Sequence, residues 1–421
     1  MINNPLRRLA LALAAATSIL AGTAAQAETD AAAVVKTYVE IGHAKYEDAL
    51  ITAKALEKAV DALIANPSDD TLKAAREAWI KARVPYQQSE AYRFGNPIVD
   101  DWEGKVNSWP LDEGLIDYVD KSYGTESDEN EQYTLNVIAN PKFSIGGKEI
   151  DATTITPDLL SGTLQEAGES ESNVATEFLL WGQDLNGTGP GAGARPASDY
   201  DTKNCTNGHC DRRAQYLKAA TSLLVSDLEY MTSQWTPEGD AAKRVLADPK
   251  LGLSAMLTGM GSLSYGELGG ERMKLGLLLH DPEEEHDCFS DNTYNSHLND
   301  AIGINGIYTG RYTRVDGTTI EGPSLSQLVA EKDPALDKEM TGKLDKTLAA
   351  MHAMAKRGES VEAYDQMIAD GNKDGNAVVQ AAIDGLIDQT KSVQRVISTL
   401  GLGKIALEGS DSLDNPGAVF Q

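Results

Sequence analysis

Between residues 35 and 63 the apolar positions Val35, Val39, Gly42, Tyr46, Ala49, Ala53, Leu56, Val60 and Leu63 recur at alternating steps of four and three. Such a stripe dictates a helix of about eight turns with one apolar face. A helix of that kind must bury its stripe against other helices. The pattern returns in Leu217, Ala220, Leu224, Leu228, Met231 and Trp235, and again in Val379, Ile383, Leu386, Thr390, Val393, Ile397 and Leu400. Shorter helical signals cover 69–92, 158–167, 174–181, 252–279 and 333–356. Strand alternation is confined to pieces near 143–155 and 307–320. The fold expected is all-α, two packed helical-bundle halves with long loops and minor β pieces. A soft boundary falls near residue 205. Loops are expected at 95–112, 121–133, 186–210 and 281–323, the last with little helical signal.

The N-terminus reads as an export signal. Arg7 and Arg8 precede an apolar run from Leu9 to Ala21, and Ala25-Gln26-Ala27 offers a small-x-small cleavage site before Glu28. Cleavage after Ala27 leaves 28–421 as one helical domain, expected in a bacterial periplasm. The chain has 37 basic and 64 acidic residues; removing Arg7 and Arg8 leaves 35 − 64 = −29. That charge repels phosphate backbones, so nucleic acid is excluded as a partner. In an oxidising compartment Cys205 and Cys210 of NCTNGHC suit a small disulfide loop. The competing reading, a metal knuckle with His209, lacks a second cysteine pair to complete it.

Several enzyme classes lack their signatures. No H-E-x-x-H, G-x-S-x-G or Walker lysine loop occurs. Asp370, Asn372, Asp374 and Gly375 imitate a calcium loop, but Ala381 stands where a bidentate Glu is required. Three places could hold chemistry instead. His43 and Glu47 stand one turn apart on the first helix and could clamp a cation, or form a polar flank. Trp79, Arg83, Tyr86 and Glu90, spaced 4, 3 and 4, share one helix face, followed by Trp109 and Asp112. There Arg83 would grip an anion and Glu90 would give oxygen to a metal, unless both merely pair with other charges. The third is DPEEEHDCFSDN, 281–292, where six of twelve residues, Asp287 included, are carboxylates with His286 among them, a set suited to hard cations or iron.

Taken together, AWIKARVPYQQSEAYRFG, VNSWPLDEGLIDYVD, EFLLWGQDLNGTGPGAGARP, NCTNGHCDRRAQYL and EEEHDCFSDNT resemble the imelysin-like family, particularly its iron-regulated protein A branch. The resemblance implies two helical halves, a site near their interface, export and a link to iron uptake; the family also carries a peptidase label. Its Gly-x-His-x-x-Glu motif supplies a presumed metal-binding His/Glu pair. Glu177 matches the Glu here, while Ser172 and Val174 occupy the Gly and His positions.

The reading that follows is a periplasmic metal-binding protein for iron or another divalent cation, serving uptake or homeostasis. Its expected ligands are Glu177, His43 and Glu90, with His286 and Asp287 as secondary candidates and Arg83, Trp109 and Asp112 shaping the pocket. A periplasmic or membrane-associated iron-uptake component is the expected partner. The alternatives are an imelysin-type metallopeptidase, short of one nitrogen ligand, and a degenerate non-catalytic member with a scaffold or partner-binding role.

Overall fold

A computed structural model describes residues 29–420 apart from 108, 128, 129, 166 and 169–171. The expected export signal over 1–27 lies outside the described residues. No described helix is long and apolar enough to cross a membrane.

The first stripe becomes helix Ala31–Ala65, begun by the Asp30 side chain accepting from the Ala32 N–H, and every stripe residue is buried. Helix Asp69–Ser89 starts at a capping box between Ser68 and Thr71. It packs along the first helix, as does Cys210–Gln234, so these three form one bundle. Their seam is aromatic. Tyr38 stacks on Tyr92 with centroids 4.3 Å apart, and Trp235 meets Tyr92 edge-on at 5.2 Å. Gly42 permits this approach, because a Cβ there would lie 2.7 Å from the Tyr92 ring. Burying each such side chain contributes roughly 1.5–3 kcal/mol.

The second bundle combines Pro334–Ser360, Lys373–Thr399, Thr293–Thr309 and a long helical run from Pro249 to Leu279. In that run the hydrogen-bond ladder widens to a π-helix over Leu263–Lys274, a feature common at functional sites. Two short hairpins, Lys142–Ile145 with Lys148–Asp151 and Arg311–Thr313 with Thr319–Glu321, are the β pieces. The fold is all-α in all but these.

Two expected loops contain helices, Pro97–Val106 and Thr293–Thr309. The second departs most from expectation. It is buried on nearly every side, by Thr293, Ser296, His297, Asn299, Asp300, Ala301, Ile304, Ile307 and Tyr308. A helix covered all round has no polar face, and so leaves no 3.6-residue alternation to read. It lies across Asp69–Ser89 and joins the two bundles. The crossing is close: a Cβ on Gly303 would lie 2.5 Å from the Gln88 carbonyl oxygen.

Cys205 and Cys210 form the disulfide. Beside it, Asp117 takes both Arg195 at 2.7 Å and Arg213 at 2.6 Å, an ion cluster that ties the Gly-rich loop to helix Cys210–Gln234.

Candidate functional site

The junction between bundles is built from the second helix outward. Trp79, Arg83, Tyr86 and Glu90 are all buried, on the face that their spacing sets. Arg83, 1% exposed, donates to Asp287 Oδ1 at 2.5 Å and to Asn107 Oδ1 at 2.7 Å, with its guanidinium over the Trp79 ring. Asp287 also accepts from Asn292 Nδ2 at 2.8 Å and Ser296 Oγ at 2.5 Å. Burial opposes the arginine's charge, but Asp287 and Glu177 more than offset it and hold its pKa above the usual range.

His286 lies between Gln87 and Asn107. The Asn107 carbonyl oxygen is taken by Arg83, so its amide Nδ2 donates to Glu103 Oε1 at 3.3 Å and stands 3.1 Å from His286 Nε2. A donor-only group, Arg83 Nη2, stands 3.3 Å from the other ring nitrogen, Nδ1. Gln87 Nε2 stands 3.1 Å from Nδ1 while its Oε1 has no partner. Burial, then the charges of Arg272 and Arg83, push the imidazole pKa well down, so it is neutral. Trp109 faces its ring edge-on at 6.5 Å.

Glu177 comes from helix Ser172–Trp181, is 1% exposed, and accepts from the Ser290 N–H at 3.0 Å. Burial, then the charge of Asp287, raise its pKa well above the carboxylate range. The motif's histidine position is filled by Val174, itself buried in the core.

Below this layer, Arg272 from the π-helical stretch binds Glu90 at 2.7 Å, Glu267 at 2.9 Å and Asp300 at 3.2 Å. Glu103 pairs with Arg93 at 3.1 Å, yet burial and the neighbouring Glu90 charge lift it to about 8. His286, Trp109, Glu103, Glu267, Arg93 and Arg272 line a cavity of about 400 Å³.

On the other side of the 285–290 loop opens a cleft of about 700 Å³, whose walls carry Glu113, Asp120, Asp184, Glu283, Glu285 and Asp365. Glu285 and Asp365 are 1% and 3% exposed, and none of their carboxylate oxygens makes a well-formed hydrogen bond, although the Thr293 hydroxyl lies near Glu285 and the Gln366 backbone N–H near Asp365. Burial lifts Glu113 to about 8 and Asp365 to about 7, with further contributions from Glu283 on the first and from Asp291 and Asp184 on the second.

The structure thus brings together Glu177, Arg83, Trp109, His286 and Asp287, but not all the expected ligands. Glu90 is held by Arg272 one layer away. His43 stays on the first helix, partly buried, and its neighbour Glu47 pairs with Arg314 at 2.6 Å rather than sharing a cation. Asp112 precedes the short helix Glu113–Ile116 and lies beside Gly168. Among the described residues no group of three or more His, Cys, Asp or Glu side chains is assembled to hold a metal ion. Gln87, Asn107 and Asp365 escaped the sequence reading, because lone polar residues at helix ends carry no periodic signal.

The imelysin family model matches residues 42–393. A stretch of 60 residues is 35% identical to iron-regulated protein A of Synechococcus elongatus, 14% of this chain and 17% of that relative's length. The crystal structure of a provisionally designated iron-regulated protein A precursor from Parabacteroides distasonis superposes with a TM-score of 0.62 at 20% identity. That alignment covers 89% of this chain and 97% of the other, and it speaks for the fold alone. With the family match running through both bundles and the junction between them, the chain belongs to the imelysin family.

Proposed function

We propose that this protein is an exported metal-binding protein of iron uptake or homeostasis, taking iron or another divalent cation at the bundle junction. Family membership and the names of the two iron-regulated relatives support an iron-related role. One observation carries the site: two buried carboxylates, Glu177 and Asp287, share the single cation Arg83 beside a neutral imidazole, His286. Two oxygen donors and one nitrogen suit iron. Glu177, Asp287 and His286 would hold the ion. Because Arg83 already neutralises Asp287, loading requires the guanidinium to withdraw. Asn107, whose amide nitrogen stands 3.1 Å from His286 Nε2, must also give way.

Isothermal titration of the mature chain with ferrous and ferric iron tests this. Saturable binding that weakens in Glu177→Ala and His286→Ala is expected. No saturable binding, or binding indifferent to both substitutions, ends the proposal.

A further inference from the structure

We infer that the acidic cleft is a separate binding site for a linear organic polycation, a polyamine bearing primary ammonium groups spaced by methylenes. The inference stands apart from the metal reading, since Glu285 and Phe289 line the cleft while His286 of the same loop lines the cavity on its other side.

Five observations carry it. The cleft presents Glu113, Asp120, Asp184, Glu283, Glu285 and Asp365, and among the described residues no lysine or arginine lines it. Glu285 and Asp365 are buried there without well-formed hydrogen bonds, although buried carboxylates are ordinarily satisfied. The space, about 700 Å³, is that of a small-molecule site rather than of a dehydrated ion. Nor do three of its carboxylates converge in the manner of a metal centre among the described residues. Finally, its carboxylates alternate with apolar and aromatic surface. Tyr123 and Tyr133 stack at 4.1 Å, Phe289 lines the floor, and Leu185 stands 61% exposed at the rim. An inorganic cation gains nothing from such walls. A chain that alternates ammonium and methylene groups uses both, through charge-assisted hydrogen bonds to the carboxylates and apolar contact with the rings.

The test is calorimetric titration of the full chain with spermidine in low salt, with magnesium and calcium as inorganic competitors. Saturable spermidine binding is expected, weakened about tenfold or more by Glu285→Gln and by Asp365→Asn, as loss of a charge-assisted contact implies. Glu283→Gln, exposed at the rim, cannot disturb the core and should weaken binding several-fold. Glu339→Gln, on the surface of the second bundle, should leave it unchanged and so controls for the chain's bulk negative charge. Absence of spermidine binding overturns the inference. So does equal weakening by Glu339→Gln, or saturation of the cleft by magnesium or calcium with no competition from spermidine. A lysine-rich peptide binding where spermidine does not would also overturn it. Iron titrations are unaffected by any of these results, so the two proposals fail independently.

Discussion

Replacing Arg83 by Met tests whether the junction is held by one buried ion pair. The guanidinium is 1% exposed and binds Asp287 at 2.5 Å, so its loss strands an almost fully buried carboxylate. Methionine keeps the contact with the Trp79 and Tyr86 rings, which separates charge from packing. Removing one partner of a buried pair costs about 3–5 kcal/mol, a third or more of the stability of many domains. Asp287→Asn should be comparably damaging, because Arg83 then loses its partner. In the double variant Arg83→Met/Asp287→Asn neither group is charged, and the loss should be at least ~2 kcal/mol smaller than the sum of the single losses. Urea unfolding at pH 7, read by fluorescence and by circular dichroism, measures all four species. Single losses below ~1 kcal/mol, or additivity in the double variant, would refute the view that this pair organises the junction.

Three further outcomes follow from other parts of the molecule. Val174→His restores an imidazole one turn before Glu177, and should raise iron affinity over that of the present chain in titration; equal affinity would show that this position does not face the site. The folded form of Glu113 keeps its proton up to about 8 against an ordinary 4.5. Across that window the folded chain therefore binds a proton that the unfolded chain has lost, and stability falls with rising pH by up to ~1.4 kcal/mol per unit. Melting temperatures between pH 5 and 8 should slope downward, and less steeply in Glu113→Gln, where Glu103 and Asp365 supply the slope that is left. Gly303→Ala drives a methyl against the Gln88 carbonyl and should cost about 1–3 kcal/mol in denaturant unfolding, by prising apart the helices that join the bundles.

The sequence made the long helices legible because their stripes face a core on one side only. Val35 to Leu63 and Val379 to Ile397 were readable for that reason, and all of those residues are buried. Thr293–Thr309 was not legible, since burial on every side erases its period. The site divides along similar lines. Arg83 and Glu90 announced themselves as charges on an otherwise apolar face, and His286-Asp287 as an imidazole in a carboxylate run. Spacing alone could not tell that Glu90 would meet Arg272, because those residues are 182 positions apart. Nor could it show that Asp365, in a stretch without a pattern, would join Glu285 across the cleft.

Glu285 allows the structural and functional accounts of the acidic loop to be separated by the sign of a stability change. Its neighbour Asp287 is fully satisfied, so removing its charge should destabilise. Glu285 is buried with no countercharge and only the nearby Thr293 hydroxyl to offset it, and burial, then Asp365, push its pKa well up. A group of this kind lowers stability, and natural chains retain such groups chiefly where function needs them. Glu285→Met keeps similar volume while removing the polar group, and should therefore stabilise the free protein by about 1–3 kcal/mol. It should also abolish spermidine binding in the titration described above. A gain in stability together with a loss of binding marks Glu285 as part of a ligand site. A loss of stability comparable to that of Asp287→Asn would instead make it one more strut of the junction, and the cleft would lose the residue on which its assignment chiefly depends.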